Sequence, residues 1–215
     1  FLTKELNHYW QSAIQDIGAK YDLNWYPLEN VKLVTGIEAG SFYTQPGAIL
    51  RPVADPNELL PSVADLKNLK AATWANLNWT ILPNLKISAG MRLAFWAPIG
   101  SADIWSFDNL GNAITQTHYN NNEIYDWFLR LEPRIGLTYN HHDWSLRLGY
   151  AKHHQFQQAV NNSISPFMVP EVWITSGPNI KPQALDQLSA ATEVNLDQGL
   201  SAGIEIWYRS FNTLI

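Results

Sequence analysis

The stretch LEPRIGLTYNHHDWSLRLGYAKHHQF, residues 131–156, holds two alternating runs about a polar turn. Leu131, Ile135, Leu137 and Tyr139 fall on one face, with Arg130, Glu132, Arg134, Gly136 and Thr138 on the other. After Asn140-His141-His142-Asp143, the apolar positions are Trp144, Leu146, Leu148 and Tyr150, and the alternate ones are Ser145, Arg147, Gly149 and Ala151. Successive strand residues point to opposite sides, so the spacing predicts a hairpin with one greasy face and one wet face. Residues 180–209, IKPQALDQLSAATEVNLDQGLSAGIEIWYR, repeat the arrangement. There Gly199 supplies the positive φ that a tight hairpin turn needs.

The same pattern extends back along the chain. Ala19, Tyr21, Leu23 and Trp25 share a face, and after a turn at 27–30 Val31, Leu33, Thr35, Ile37 and Ala39 carry it back. Thr73, Ala75, Leu77, Trp79 and Ile81 follow, then a turn at Pro83-Asn84, then Leu85, Ile87, Ala89, Met91, Leu93 and Phe95. Residues 1–13 fit either a strand or a loop. Pro46, Pro52, Pro56 and Pro61 argue for a long loop over about 45–68, because proline removes a ladder donor. Two more long loops are expected over about 98–123 and 153–182. The sum is about eight strands joined alternately by short turns and long loops.

Composition narrows what such a sheet is for. The chain has 215 residues, a formal net charge of -5 and no cysteine, so disulfides and thiolate metal sites are excluded. A mildly acidic balance gives no basis for nucleic-acid binding. Charged residues are only 15 % and aromatics reach 13 %, against roughly 25 % charged in ordinary soluble domains. No apolar run approaches the roughly 18 residues of a membrane helix, but a spanning strand needs only about 9–11. Nothing in FLTKELNHYW reads as a signal peptide.

Alternation alone leaves the direction of the apolar face open; loop asymmetry and aromatic placement decide it. Short turns at one end and long loops at the other are the habit of outer-membrane barrels. Trp25, Trp79, Tyr139 and Trp144 lie beside short turns, and Tyr43, Phe95, Trp127, Tyr150 and Tyr208 lie towards the long loops. Two such belts match the girdles at lipid–water interfaces. The expected fold is therefore an all-β, antiparallel, up-and-down transmembrane β-barrel. Arg92, Arg130, Glu132, Arg134, Arg147, Glu205 and Arg209 line its interior, with Glu132 paired to Arg130 and Arg134.

Catalysis is not expected: no nucleophile or base stands beside an orienting partner, and no phosphate-cradling glycine motif occurs. Neither His141-His142 nor His153-His154 is expected to bind metal, because adjacent strand residues face opposite ways. No cofactor is expected. Ligand contact belongs to the long loops, where Trp105, Tyr119, His153, His154, Gln155, Phe167 and Trp173 are the candidates.

Several segments together resemble the barrel of TonB-dependent outer-membrane receptors. They are Asn84–Leu93, Leu131-Glu132-Pro133-Arg134 with Tyr139, Gln155, Asn162-Ser163, Trp173, Ile180-Lys181-Pro182-Gln183 with Asp186-Gln187, and Ile206-Trp207-Tyr208-Arg209. The resemblance covers about 69–209. It implies a barrel of about 22 strands around a plug, with a nutrient such as an iron chelate, cofactor or glycan imported at the expense of the inner-membrane TonB complex. Residues 1–215 would then be one barrel segment without the plug, and the partners would be outer-membrane lipid, the rest of the barrel, the plug and TonB. Two other readings are a complete eight-stranded outer-membrane barrel (adhesin, anchor or small pore) and a soluble ligand-binding barrel.

Overall fold

The computed structural model describes residues 9–50, 64–160, 172–196 and 199–213. Twelve strands are present among the described residues: β1 (Tyr9–Leu28), β2 (Val31–Leu50), β3 (Leu66–Leu82), β4 (Leu85–Ile99), β5 (Ala102–Phe107), β6 (Ala113–Tyr119), β7 (Phe128–His141), β8 (Trp144–Gln155), β9 (Gln157–Val160), β10 (Val172–Thr175), β11 (Gln183–Leu196) and β12 (Leu200–Asn212). Eight form one antiparallel sheet in the order β1-β2-β3-β4-β7-β8-β11-β12. The other four are hairpins within two of the long connections, β5 with β6 and β9 with β10. Those connections were expected as loops, and each instead folds back on itself.

The short turns reveal the strand tilt. Val31 pairs with Trp79, Leu85 with Tyr139 and Trp144 with Val194. By that register each short turn lies about two to three residues beyond the previous one, or about 1.2 residues per strand. With about 3.3 Å per residue and about 4.8 Å between strands, all four turns share one level only if the strands tilt by about 40°, the tilt of membrane barrels. Six alternate positions on β4, from Leu85 to Phe95, are Leu, Ile, Ala, Met, Leu and Phe. At that tilt they span about 25 Å, the height of a lipid-facing band.

Burial separates the two faces. On β3 the even-numbered residues Asn68, Ala72 and Trp74 are buried, and the odd-numbered Leu69, Thr73, Ala75 and Trp79 are exposed. Register carries this division across the sheet. Glu38, Arg92, Arg130, Glu132, Arg134, Arg147, Glu205 and Arg209 all share the face of Trp74, hereafter the inner face. The opposite face leaves Met91, Leu131, Ile135, Leu148, Leu188 and Ile204 uncovered, with Ile135 56 % exposed. A soluble barrel would bury this row, so that reading fails. Among the described residues no ladder joins β1 to β12, so the sheet is open and is not a closed eight-stranded barrel.

Proline placement corrects one expectation. Pro46 was read as ending a strand, yet β2 continues to Leu50. The β2–β3 ladder stops at Thr44, and a register shift between Gln11 and Ala13 of β1 accommodates the chain near Pro46. Pro98 lies just past the last β4–β7 pair, Trp96 with Phe128, and Pro133 just past the last β7–β8 pair, Arg134 with Ala151. Each proline withholds its missing donor where one ladder has already ended, a position in which proline is tolerated.

Candidate functional site

The inner face carries a ladder of charges. Lys70 reaches over the Gly18–Gly40 pair to Asp16. Lys20 lies 3.2 Å from Asp22 and 4.9 Å above the ring of Trp74. That indole lies over Gly36, where any Cβ would collide with it. Further along, Arg92 pairs with Glu38 and stands 3.9 Å from Glu132, and Arg147 pairs with Glu193 at 3.1 Å. Arg209 Nε donates to Gln187 Oε1 at 3.1 Å.

Glu132 was expected to pair with Arg130 and Arg134 on its own strand. Its partners come instead from neighbouring strands: Arg92, and the backbone N–H of His154, which donates to Oε1 at 2.8 Å. Pro133 has no N–H to extend the β7–β8 ladder, and the buried Glu132 carboxylate takes up a donor left beside it.

Above the ladder lies a patch of rings and amides. Trp96 packs 5.7 Å from Phe42 and stacks on Phe156 at 5.5 Å, with Phe128 buried in the same cluster. The β9–β10 hairpin covers it. Gln157 Nε2 donates to Thr44 Oγ1 at 3.4 Å, Gln183 donates to Gln158, and the Ser176 N–H donates to the Phe156 carbonyl at 2.7 Å. Thr44, Asn68, Gln158, Thr175 and Ser176 are all buried.

The family model described as TonB dependent receptor-like, beta-barrel, matches residues 3–215. The chain belongs to this TonB-dependent receptor family. No curated protein sequence matches it. Among solved structures, a chain titled "Copper transporter OprC" superposes with a TM-score of 0.59 at 17 % identity, over 95 % of this chain and 31 % of that one. At that identity the likeness shows the fold, and this receptor chain spans about a third of its neighbour's length.

The candidate residues read from the receptor's sequence fall in separate places. Trp105 lies on β5, exposed, and its carbonyl accepts Asn179 Nδ2 at 2.9 Å, tying the two hairpin-bearing loops together. Tyr119 ends β6 with its ring 5.4 Å from that of Tyr125, whose hydroxyl is pushed up by burial and then by Asp126. His153, His154 and Gln155 were expected in a loop but belong to β8. His154 is enclosed beside Glu132, His153 is exposed, and Gln155 donates to the Gln157 carbonyl at 2.6 Å. Trp173 pairs with Ala159 in the covering hairpin. Phe167 lies outside the described residues.

Sequence reasoning missed Phe42, Asn68, Trp96, Phe128, Phe156 and Gln158. Phe42, Trp96 and Phe128 occupy polar-face positions, and aromatics where the pattern calls for polar residues were the available signal. His141 and His142 were expected to face opposite ways, yet their ring centroids are 4.3 Å apart. His142 has φ 52, so alternation ends at the turn and neighbouring side chains meet. Among the described residues no three His, Asp or Glu side chains gather as ligands for an ion.

Proposed function

We propose that this chain is one sector of the wall of an outer-membrane receptor that takes up a nutrient at the expense of the TonB complex. The division of faces carries the reading: the same strands leave an apolar row uncovered and hold a charge-lined row within. An apolar band with about 40° of tilt suits hydrocarbon, and a polar inner wall suits a water-filled or plugged lumen. The open edges of β1 and β12 fit this as well, since unpaired backbone in lipid costs several kcal/mol per group and calls for partner strands. The remaining wall, a plug and TonB are the partners proposed, with an iron chelate, a cofactor or a glycan as the substrate class.

Deleting the gene, or deleting tonB, should abolish uptake of the same nutrient, and the protein should leave the envelope only with detergent. Release as a folded monomer without detergent, or uptake indifferent to tonB, would overturn this function.

A further inference from the structure

Among the described residues, Asn68 is the least satisfied of the inner wall. It is 1 % exposed, and neither its amide nitrogen nor its oxygen has a hydrogen-bond partner among the described residues. Trp96 Nε1, Gln158 Nε2 and Ser176 Oγ are buried in the same condition. The four belong to one region. Asn68 pairs with Phe42 on one side and Pro98 on the other, and Trp96 follows on the same face with its ring against Phe42. Phe156 stacks on that ring, accepts the Ser176 N–H and leads directly into Gln157 and Gln158. Burying unpaired polar atoms carries a desolvation penalty. A surface serving only as wall would place apolar groups here and avoid it.

We propose that this patch recognises an uncharged polyhydroxylated ligand, a neutral oligosaccharide, admitted when the β9–β10 hairpin lifts from β2. The proposal rests on the receptor reading above and names its substrate class. An amide both donates and accepts, as a sugar hydroxyl does, so Asn68 and Gln158 complement hydroxyls of either orientation. Ser176 Oγ adds another donor and acceptor. Once the lifting hairpin draws Phe156 off its ring, Trp96 offers a broad apolar face to a sugar ring and an N–H at its edge. Among the described residues no ion pair belongs to the patch itself. Lys70, the nearest cation by register, is engaged by Asp16. Arg130 and Lys181 stand at the rim, each 5.4 Å from the ring of Phe128. Among the described residues, the hairpin's side-chain hydrogen bond to β2 is that of Gln157 to Thr44, at 3.4 Å.

The test uses the intact detergent-purified receptor with Asn68→Ala and Trp96→Phe, on an array of neutral and acidic oligosaccharides, with melting followed in parallel. Asn68→Ala should melt at or above the native temperature, because the amide it removes is unpaired. It should nonetheless weaken binding of a neutral oligosaccharide at least tenfold, and Trp96→Phe should weaken it too. Three outcomes overturn the proposal: no neutral oligosaccharide separating native from variants, binding of acidic ones alone, or melting that falls in step with binding. If tonB-dependent uptake persists unchanged in both variants, this site falls and the receptor reading stands. Loss of tonB dependence in the native protein removes both.

Discussion

Replacing Ile135 with arginine tests which face meets hydrocarbon. Ile135 lies about seven and a half residues above the His142-Asp143 turn, which at about 40° of tilt places it about 19 Å up. Tyr139, in the lower aromatic belt, is about 9 Å up, so the centre of a band of about 25 Å falls at about 21 Å, close to Ile135. Arginine near the midplane of a barrel's lipid face costs about 2–4 kcal/mol. That is a roughly 30- to 900-fold shift in the unfolding equilibrium, at about 1.36 kcal/mol per decade. Arg134→Gln, one residue away on the inner wall, should change stability by no more than about 0.5 kcal/mol. Denaturant titration of the intact receptor in phospholipid vesicles, followed by tryptophan fluorescence, measures both. If Ile135→Arg cost no more than Arg134→Gln, the outward row would not face lipid, and the membrane assignment would fall with it.

Glu132→Ala should destabilise by about 1–3 kcal/mol, because it leaves the His154 N–H without an acceptor and removes the buried charge 3.9 Å from Arg92; Glu132→Gln should cost less, and melting of the two variants checks the order. Gly36→Ala should cost about 1–3 kcal/mol by forcing Trp74 off the strand, seen as a lower melting temperature and altered tryptophan emission. In the β5–β6 turn, donation from Asn112 and from the Leu110 N–H holds the Asp108 carboxyl below its ordinary value of 3.8. A depressed carboxyl stabilises above the unfolded pKa and ceases to as pH falls through the folded one. Amide exchange at Leu110 and Asn112 should therefore stay slow at pH 5, relative to unfolded peptide, and lose that protection on acidification below Asp108's own titration. Asp108→Asn should show the weaker protection already at pH 5.

The wall was legible in the sequence because a strand writes its two faces at a period of two. Leu85 to Phe95 and Leu131 to Tyr139 announced themselves that way, and their short turns fell where Pro83-Asn84 and His142-Asp143 now stand. The extent of the strands was less legible. Whether a proline ends a strand depends on which side still has a ladder, and Pro46 shows that this is settled by a neighbour more than fifteen residues away in sequence. Partnerships across strands were hidden for the same reason. Glu132 looked towards Arg130 and Arg134 in sequence, but register brings Arg92 beside it. The ring-and-amide patch draws Phe42, Asn68 and Trp96 from three strands and Phe156 from the β8–β9 junction, and no local pattern joins them. Only the aromatics at polar positions hinted that something besides solvent covers that face.

The three prolines at the ends of ladders have a bearing on how such a protein changes over generations. Each caps a seam with a residue that has no hydrogen to offer, so chain beyond it is not drawn into zipping with its neighbour. Chain past the strand ends beyond Pro46, Pro98 and Pro133 can be lengthened or exchanged with little effect on the capped seam, while the ladder on each proline's other side stays paired. New cargo preferences can then be tried at the mouth while the inherited cylinder goes on assembling as before.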